Sequence, residues 1–134
     1  MRAVIMGCGR VGARVAVRLC AEHDVTVLDW NPASFERLGP EYTGETILGN
    51  GIDVDILKRA DVASANVFLA LTDGDNRNLM AAQIARSLGS GRVVARVYDP
   101  TRSGIFSEMG LITFSPTING AKRLFSMVTN EGGR

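Results

Sequence analysis

"VIMGCGRVGARV", residues 4–15, decides the fold. A short apolar run gives way to Gly7, Gly9 and Gly12, and a helix-compatible stretch follows. In G-x-G-x-x-G between a strand and a helix, the first glycine makes the tight turn and the second admits a pyrophosphate. The third lets the helix pack closely on the strand. The phosphate then rests on a helix N-terminus, whose free N–H groups and dipole favour an anion. A dinucleotide enzyme adds a second region to hold its substrate, but one domain fills a chain of 134 residues. Either the sequence is a fragment, or nucleotide binding is itself the function.

On both sides of this loop the chain keeps one rhythm. Apolar runs of strand length recur at 3–6, 25–28, 46–48, 67–71, 93–97 and 111–114, each followed by helical periodicity. That alternation predicts an α/β protein, a Rossmann-like doubly wound six-stranded parallel sheet with a C-terminal crossover helix. The uninterrupted apolar character of the strands predicts cover on both faces. On the first helix Val11, Val15 and Leu19 form the stripe expected to face the sheet; after the fourth strand Leu79, Ala82 and residues 84–88 do so. Asn31-Pro32, Asp99-Pro100 and Ser115-Pro116 mark helix starts, and Gly110 a helix stop. Residues 1–116 are expected to form the nucleotide-binding domain, and 117–134 a dimerisation helix and a tail, "NEGGR", that frays.

Composition removes several function classes. A net charge of +1 lacks the basic excess of a nucleic-acid binder, so no nucleic-acid partner is expected. No apolar run approaches the ~20 residues that span a bilayer, and no signal-peptide apolar region opens the chain, which predicts a cytoplasmic setting without direct membrane insertion. Cys8 and Cys20 suit a reducing compartment, so no structural disulfide is expected. A single histidine and no C-x-x-C spacing argue against metal. That histidine, His23, sits at the expected end of the first helix, where its charge suits the dipole better than catalysis does.

The candidate binding residues begin with the loop and first turn: Gly7, Cys8, Gly9, Arg10, Val11 and Gly12. Arg10 adds a guanidinium to an anion-attracting helix end, which implies a ligand rich in phosphate charge. Arg14 and Arg18 repeat its spacing and read as a solvated basic face. Asp29 follows Gly12 by 17 positions, where a carboxylate accepts hydrogen bonds from both hydroxyls of an adenine ribose; the plainer reading makes it a helix cap. An acid there repels a 2′-phosphate, favouring NAD, NADH or ATP/ADP over NADP. Trp30 stands beside it.

In "LGNGID", residues 48–53, Asn50 is placed to bond an adenine edge, with Gly49 and Gly51 letting the backbone approach a flat ligand; an ordinary Asn-Gly turn explains the same residues. Thr72 and Asp73 fall where the strand order reverses, the place at which open α/β sheets bind ligands. Asp73 and Asp75 also suit the N-cap of the next helix, a role given mainly to Asp75. Arg96, inside apolar "VVARVYDP", needs an anionic or hydrogen-bonding partner, and a phosphate, Asp73 or a partner subunit would each serve. Cys8 is either a redox-sensitive thiol or a small filler.

Taken in order, "GCGRVG", "VLDWN", "GNGID", "LALTDGDNRN" and "VVARVYDPTRSGIFSEMGLITFSPT" resemble the RCK N-terminal domain, also called KTN or TrkA-N, from Met1 to about Val128. The resemblance implies a nucleotide-binding gating module of bacterial potassium channels and transporters, regulatory and not enzymatic, peripheral to the inner face of the plasma membrane. It implies phosphate contacts from Gly7, Gly9, Arg10 and Gly12, a ribose contact from Asp29, and a pocket lined by Asn50, Thr72, Asp73 and Arg96. Asn50 departs from the family's more frequent aspartate, and the family's C-terminal lobe has no counterpart in this sequence, which reads as a single-lobe subunit or an excised domain. The partners implied are a second copy, or a ring of dimers, and a membrane-spanning potassium channel or transporter subunit.

Thr117 is placed to cap a last helix in which Ile118, Ala121, Leu124, Phe125 and Val128 recur at three- and four-residue intervals, with Lys122 and Arg123 on the flanks. Five helices already precede it, so its apolar stripe is expected to meet a two-fold partner. The alternatives are half of an NAD-dependent oxidoreductase and a free-standing NADH redox sensor acting through Cys8.

Overall fold

The computed structural model describes residues 1–129. The expected fraying of the tail falls on residues 130–134, outside the described residues. Six strands form one sheet: β1 (Arg2–Met6), β2 (Asp24–Asp29), β3 (Glu45–Leu48), β4 (Val67–Ala70), β5 (Arg92–Arg96) and β6 (Ile112–Phe114). Their order is β3-β2-β1-β4-β5-β6 and every pairing is parallel, the Rossmann-like doubly wound arrangement. The chain leaves β1 in one direction for β2 and β3, then returns to the other side of β1 for β4. That reversal opens a crevice above β1 at the carboxyl edge.

Alternation along β1 builds two cores. Val4 and Met6 join Phe68, Leu57 and Phe106 on one face, while Ile5 joins Val25, Val27 and Ala16 on the other. Four helices cover these faces, α1 (Arg10–Cys20), α2 (Val54–Arg59), α3 (Asp75–Leu88) and α4 (Pro100–Glu108), and α5 (Pro116–Thr129) follows β6 without joining either core. After β2 the expected helix is a 3₁₀ turn, Pro32–Leu38, capped by Asn31, whose side chain accepts from the Ala33 N–H. Helix α4 stops before Gly110, whose φ of +85° is a left-handed conformation open to glycine.

Three expectations need correction. Helix α1 buries Gly12, Ala13 and Ala16 most deeply; of the predicted stripe Val15 and Leu19 pack half-buried against the core, but Val11 is exposed. Small residues win because the helix lies tight on β1 immediately after the loop. Cover on both faces fails at the sheet edges, where β3 and β6 carry exposed Leu48, Ile112 and Phe114. Finally, α5 is capped by Ser115 and not by Thr117: the Ser115 hydroxyl accepts from Ile118 N–H, and Asn119 accepts in return from Ser115 N–H. None of the described residues of α5 is buried, so its apolar stripe faces outward from its own subunit.

Candidate functional site

A cavity of about 450 Å³ opens at the carboxyl ends of β1, β2 and β4. Gly7, Cys8, Gly9, Asp29, Trp30, Asn50, Gly51, Thr72, Asp73 and Arg96 all line it, so most of the predicted residues meet in one place. Arg10, Val11 and Gly12 do not line it. Arg10 and Val11 point out from the first turn of α1, and Gly12 lies beneath the loop.

Each glycine of the fingerprint has its own reason. Gly7 has φ +108°, and a side chain there would meet the backbone of Leu71 and Thr72 at 2.9 Å. A Cβ on Gly12 would stand 1.9 Å from the Gly7 carbonyl oxygen, so only glycine lets α1 start where it does. Gly9 differs from both. Its backbone is ordinary (φ −86°, ψ −164°), and a Cβ there would meet nothing within 4 Å. Neither a clash nor a left-handed backbone requires glycine at position 9, which is the N-cap of α1 and lines the cavity. Gly49 and Gly51 both line the cavity, and each also has a packing reason to lack a side chain, since a Cβ would strike Ile56 at position 49 and Met6 at position 51.

Asp29 is held by the loop that it faces. Its Oδ2 accepts from the Cys8 N–H at 2.8 Å and its Oδ1 from the Asn31 N–H at 2.9 Å. It does not cap the 3₁₀ turn, which Asn31 does, and each oxygen keeps a lone pair for a further donor. The Cys8 carbonyl accepts from Arg37 at 3.3 Å, so the main-chain polar groups of Cys8 are tied to the end of β2 and to the 3₁₀ turn after it. The Cys8 thiol is buried. Burial pushes its pKa up, the nearby Asp29 carboxylate adds to this, and Arg37 partly offsets it.

Past β4, Asn78 is wholly buried and makes four bonds. Its Oδ1 accepts from the N–H and hydroxyl of Thr72, and its Nδ2 donates to the carbonyls of Thr72 and Arg96. Arg96 meets the need of a buried arginine with hydrogen bonds and not with Asp73: Nε and Nη2 donate to the carbonyls of Thr72 and Leu71, and its guanidinium lies 4.9 Å from the Tyr98 ring centroid. Helix α3 starts from Gly74, which offers no side-chain cap. Asp75 is therefore not the expected cap. Its carboxylate instead accepts from the N–H groups of Tyr98 and Asp99, joining the loops after β4 and β5. Asp73 is no cap either; it reaches Arg77 at 3.9 Å. His23, past the end of α1, meets the Met1 amino group through Nδ1 at 3.2 Å.

Asn78, Arg37 and Arg77 were not among the predicted binding residues. Asn78 carried a signal: it shares a helical face with Ala81, Ala82 and Ala85, where a polar residue must find partners. Arg37 and Arg77 carried none, since each reads as an ordinary basic residue on a solvated turn. Among the described residues no helix is long and apolar enough to cross a membrane, and no group of three or more His, Cys, Asp or Glu is placed to hold a metal ion.

Comparison with known proteins agrees with this fold. The Trk system potassium uptake protein TrkA of Streptomyces coelicolor is 44% identical over 115 residues, 84% of this chain, and the chain spans about half, 52%, of that relative. The TrkA-N domain of inner membrane protein ybaL from Escherichia coli shares the fold at a TM-score of 0.84 and 18% identity, over 94% of this chain and 95% of that one. The GsuK channel bound to NAD superposes at 0.69 with 22% identity, over 84% of this chain and 21% of that one. GsuK bound to ADP gives 0.72 at the same identity, over 87% of this chain and 31% of that one. The family model of the TrkA-N domain matches residues 3–115, a span that takes in β1 from Ala3, the other five strands and the whole cavity wall, and the chain belongs to that family.

Proposed function

We propose that this domain is a nucleotide-responsive regulatory module of a potassium transport system, binding NAD(H) or ATP/ADP in the crevice above β1. The observation that carries the reading is Gly9, a glycine that neither strain nor protein packing demands, set in the wall of a cavity beside a carboxylate with free lone pairs. The glycine loop takes the phosphates, Asp29 the ribose hydroxyls, Trp30 and Asn50 the side of the base, and Thr72, Asp73 and Arg96 the far wall. Arg10, outside the cavity of its own subunit, is assigned to phosphate reached across a dimer.

Binding without catalysis fits these residues. Both Asp29 oxygens already accept backbone N–H groups, and Asp73 stands largely in solvent beside Arg77. A buried thiol whose pKa is raised is a poor redox nucleophile, which favours the filler role for Cys8 over the NADH sensor. A ligand regulates only by binding two states unequally, and a dimer through α5 would supply them. The transport partner rests on the name and identity of the Streptomyces relative. Its proposed place is cytoplasmic, peripheral to the inner face of the plasma membrane, beside a membrane-spanning subunit.

Calorimetric titration with NAD, NADH, ATP, ADP and NADP tests the reading together with Gly9→Ala. NAD(H) or an adenine nucleotide should bind and NADP should not. Gly9→Ala should keep its melting temperature and lose the nucleotide. Unchanged affinity in that variant would remove the loop from the site.

A further inference from the structure

The cavity wall carries three guanidiniums, Arg37, Arg77 and Arg96, and two carboxylates, Asp29 and Asp73. Three of these five groups are committed to the protein. Arg96 donates to the carbonyls of Leu71 and Thr72, Arg37 donates to that of Cys8, and Asp29 is fixed by two backbone N–H groups while keeping a lone pair on each oxygen for a ribose. Asp73 and Arg77 remain. Their closest approach is 3.9 Å, too long for a hydrogen bond, and the side chains are 89% and 43% exposed. Arg77 is thus the wall's least committed cation, its guanidinium lying beside Gly74, where no side chain competes for the space.

Its position in the sheet says what it can reach. Asp29 ends β2, the glycine loop ends β1, and Thr72 and Asp73 follow β4, three neighbouring strands in that order. Strands lie about 4.8 Å apart, so the path from the Asp29 carboxylate over Gly9 to the β4 side is about 10 Å. That is the reach of a nucleotide from its ribose hydroxyls to its outer phosphates. A nucleoside on Asp29 would place a first phosphate over the glycine loop and any further phosphate beside Asp73 and Arg77. An uncompensated Asp73 would repel it.

We infer that Arg77 is the specificity-determining residue by which one subunit distinguishes nucleoside di- and triphosphates from monophosphates, exchanging its loose pairing with Asp73 for the outer phosphate. The inference rests on the nucleotide reading and adds to it a cation that the glycine fingerprint does not contain. A guanidinium suits this role because its forked donors can hold two phosphate oxygens at once, where a lysine gives a point charge. Asp73 then acts in the opposite sense, opposing each added phosphate charge and keeping Arg77 at the cavity when the site is empty.

The test is calorimetry of the wild type, Arg77→Gln, Arg77→Lys and Asp73→Asn against adenosine, AMP, ADP and ATP. Arg77→Gln should lose about tenfold for ADP and ATP, the size of one charge-assisted hydrogen bond, while adenosine and AMP bind as to the wild type. Arg77→Lys should recover part of that loss, and Asp73→Asn should tighten ATP more than AMP. If Arg77→Gln binds the whole series as the wild type does, or loses adenosine as much as ATP, the inference is overturned and nucleotide binding stands. If the wild type binds none of the four, the nucleotide reading itself fails, and the inference with it.

Discussion

Two glycines three positions apart, Gly9 and Gly12, separate folding from binding at the scale of a single Cβ. Alanine at 12 must push against the Gly7 carbonyl oxygen from 1.9 Å, so either α1 or the loop moves. Gly12→Ala should lower the urea unfolding free energy by about 1–3 kcal/mol or more, the usual size of overpacking, whereas Gly9→Ala should leave it unchanged. Cys8 makes a second residue-scale prediction. Its thiol is wholly buried and its pKa raised, so at neutral pH little of it is thiolate and less is reachable. Iodoacetamide followed by mass spectrometry should label Cys20, which is only half-buried, well before Cys8. Rapid labelling of Cys8 would restore the redox reading. The glycine spacing made this loop legible in the sequence. That Gly49 and Gly51 serve Ile56 and Met6 was not, because a turn glycine looks the same whichever side forbids a side chain.

At the level of elements, all six strands were legible to within a residue or two, since parallel strands covered by helices must be apolar and short. The helices were harder to read. On α1 the largest apolar residues suggested one face, but closeness to β1 selects for small size, and Ala13 and Ala16 took the buried positions. On α3 the buried polar residue Asn78 holds the end of β4 to the end of β5 through four hydrogen bonds. Asn78→Ala should lower the denaturant midpoint by an amount equivalent to about 1–3 kcal/mol for each buried group left without a partner. Asn78→Asp is the sharper variant: it keeps the acceptor for Thr72 but brings a charge where the Thr72 and Arg96 carbonyls expect a donor. A midpoint equal to wild type in both would make Asn78 a bystander.

For the whole molecule, the question is what covers α5. Leu124, Phe125, Met127 and Val128 are each more than half exposed, and Ile112 and Phe114 on the edge strand β6 add to the outward apolar surface. The sequence foresaw a surplus helix by counting helices against strands. It did not show that the neighbouring edge strand is also bare, because an edge strand has the composition of a central one. A dimer through α5 should dissociate in Phe125→Asp, which loses about 1.5–3 kcal/mol for each large side chain no longer buried. Light scattering should then show monomers or aggregates; a persistent dimer would place the contact elsewhere. The Asp75 carboxylate bears on how such a surface is supported. Tyr98 and Asp99 lie in a connecting loop, yet their amides end on the first residue of α3, and Asp99 is itself the cap of α4. These two amides should exchange with deuterium at the slow rate of a helix and not at that of a loop. The stretch of chain between the crevice and the bare edge thus borrows its stiffness from α3, and a push on one end should arrive at the other as a tilt.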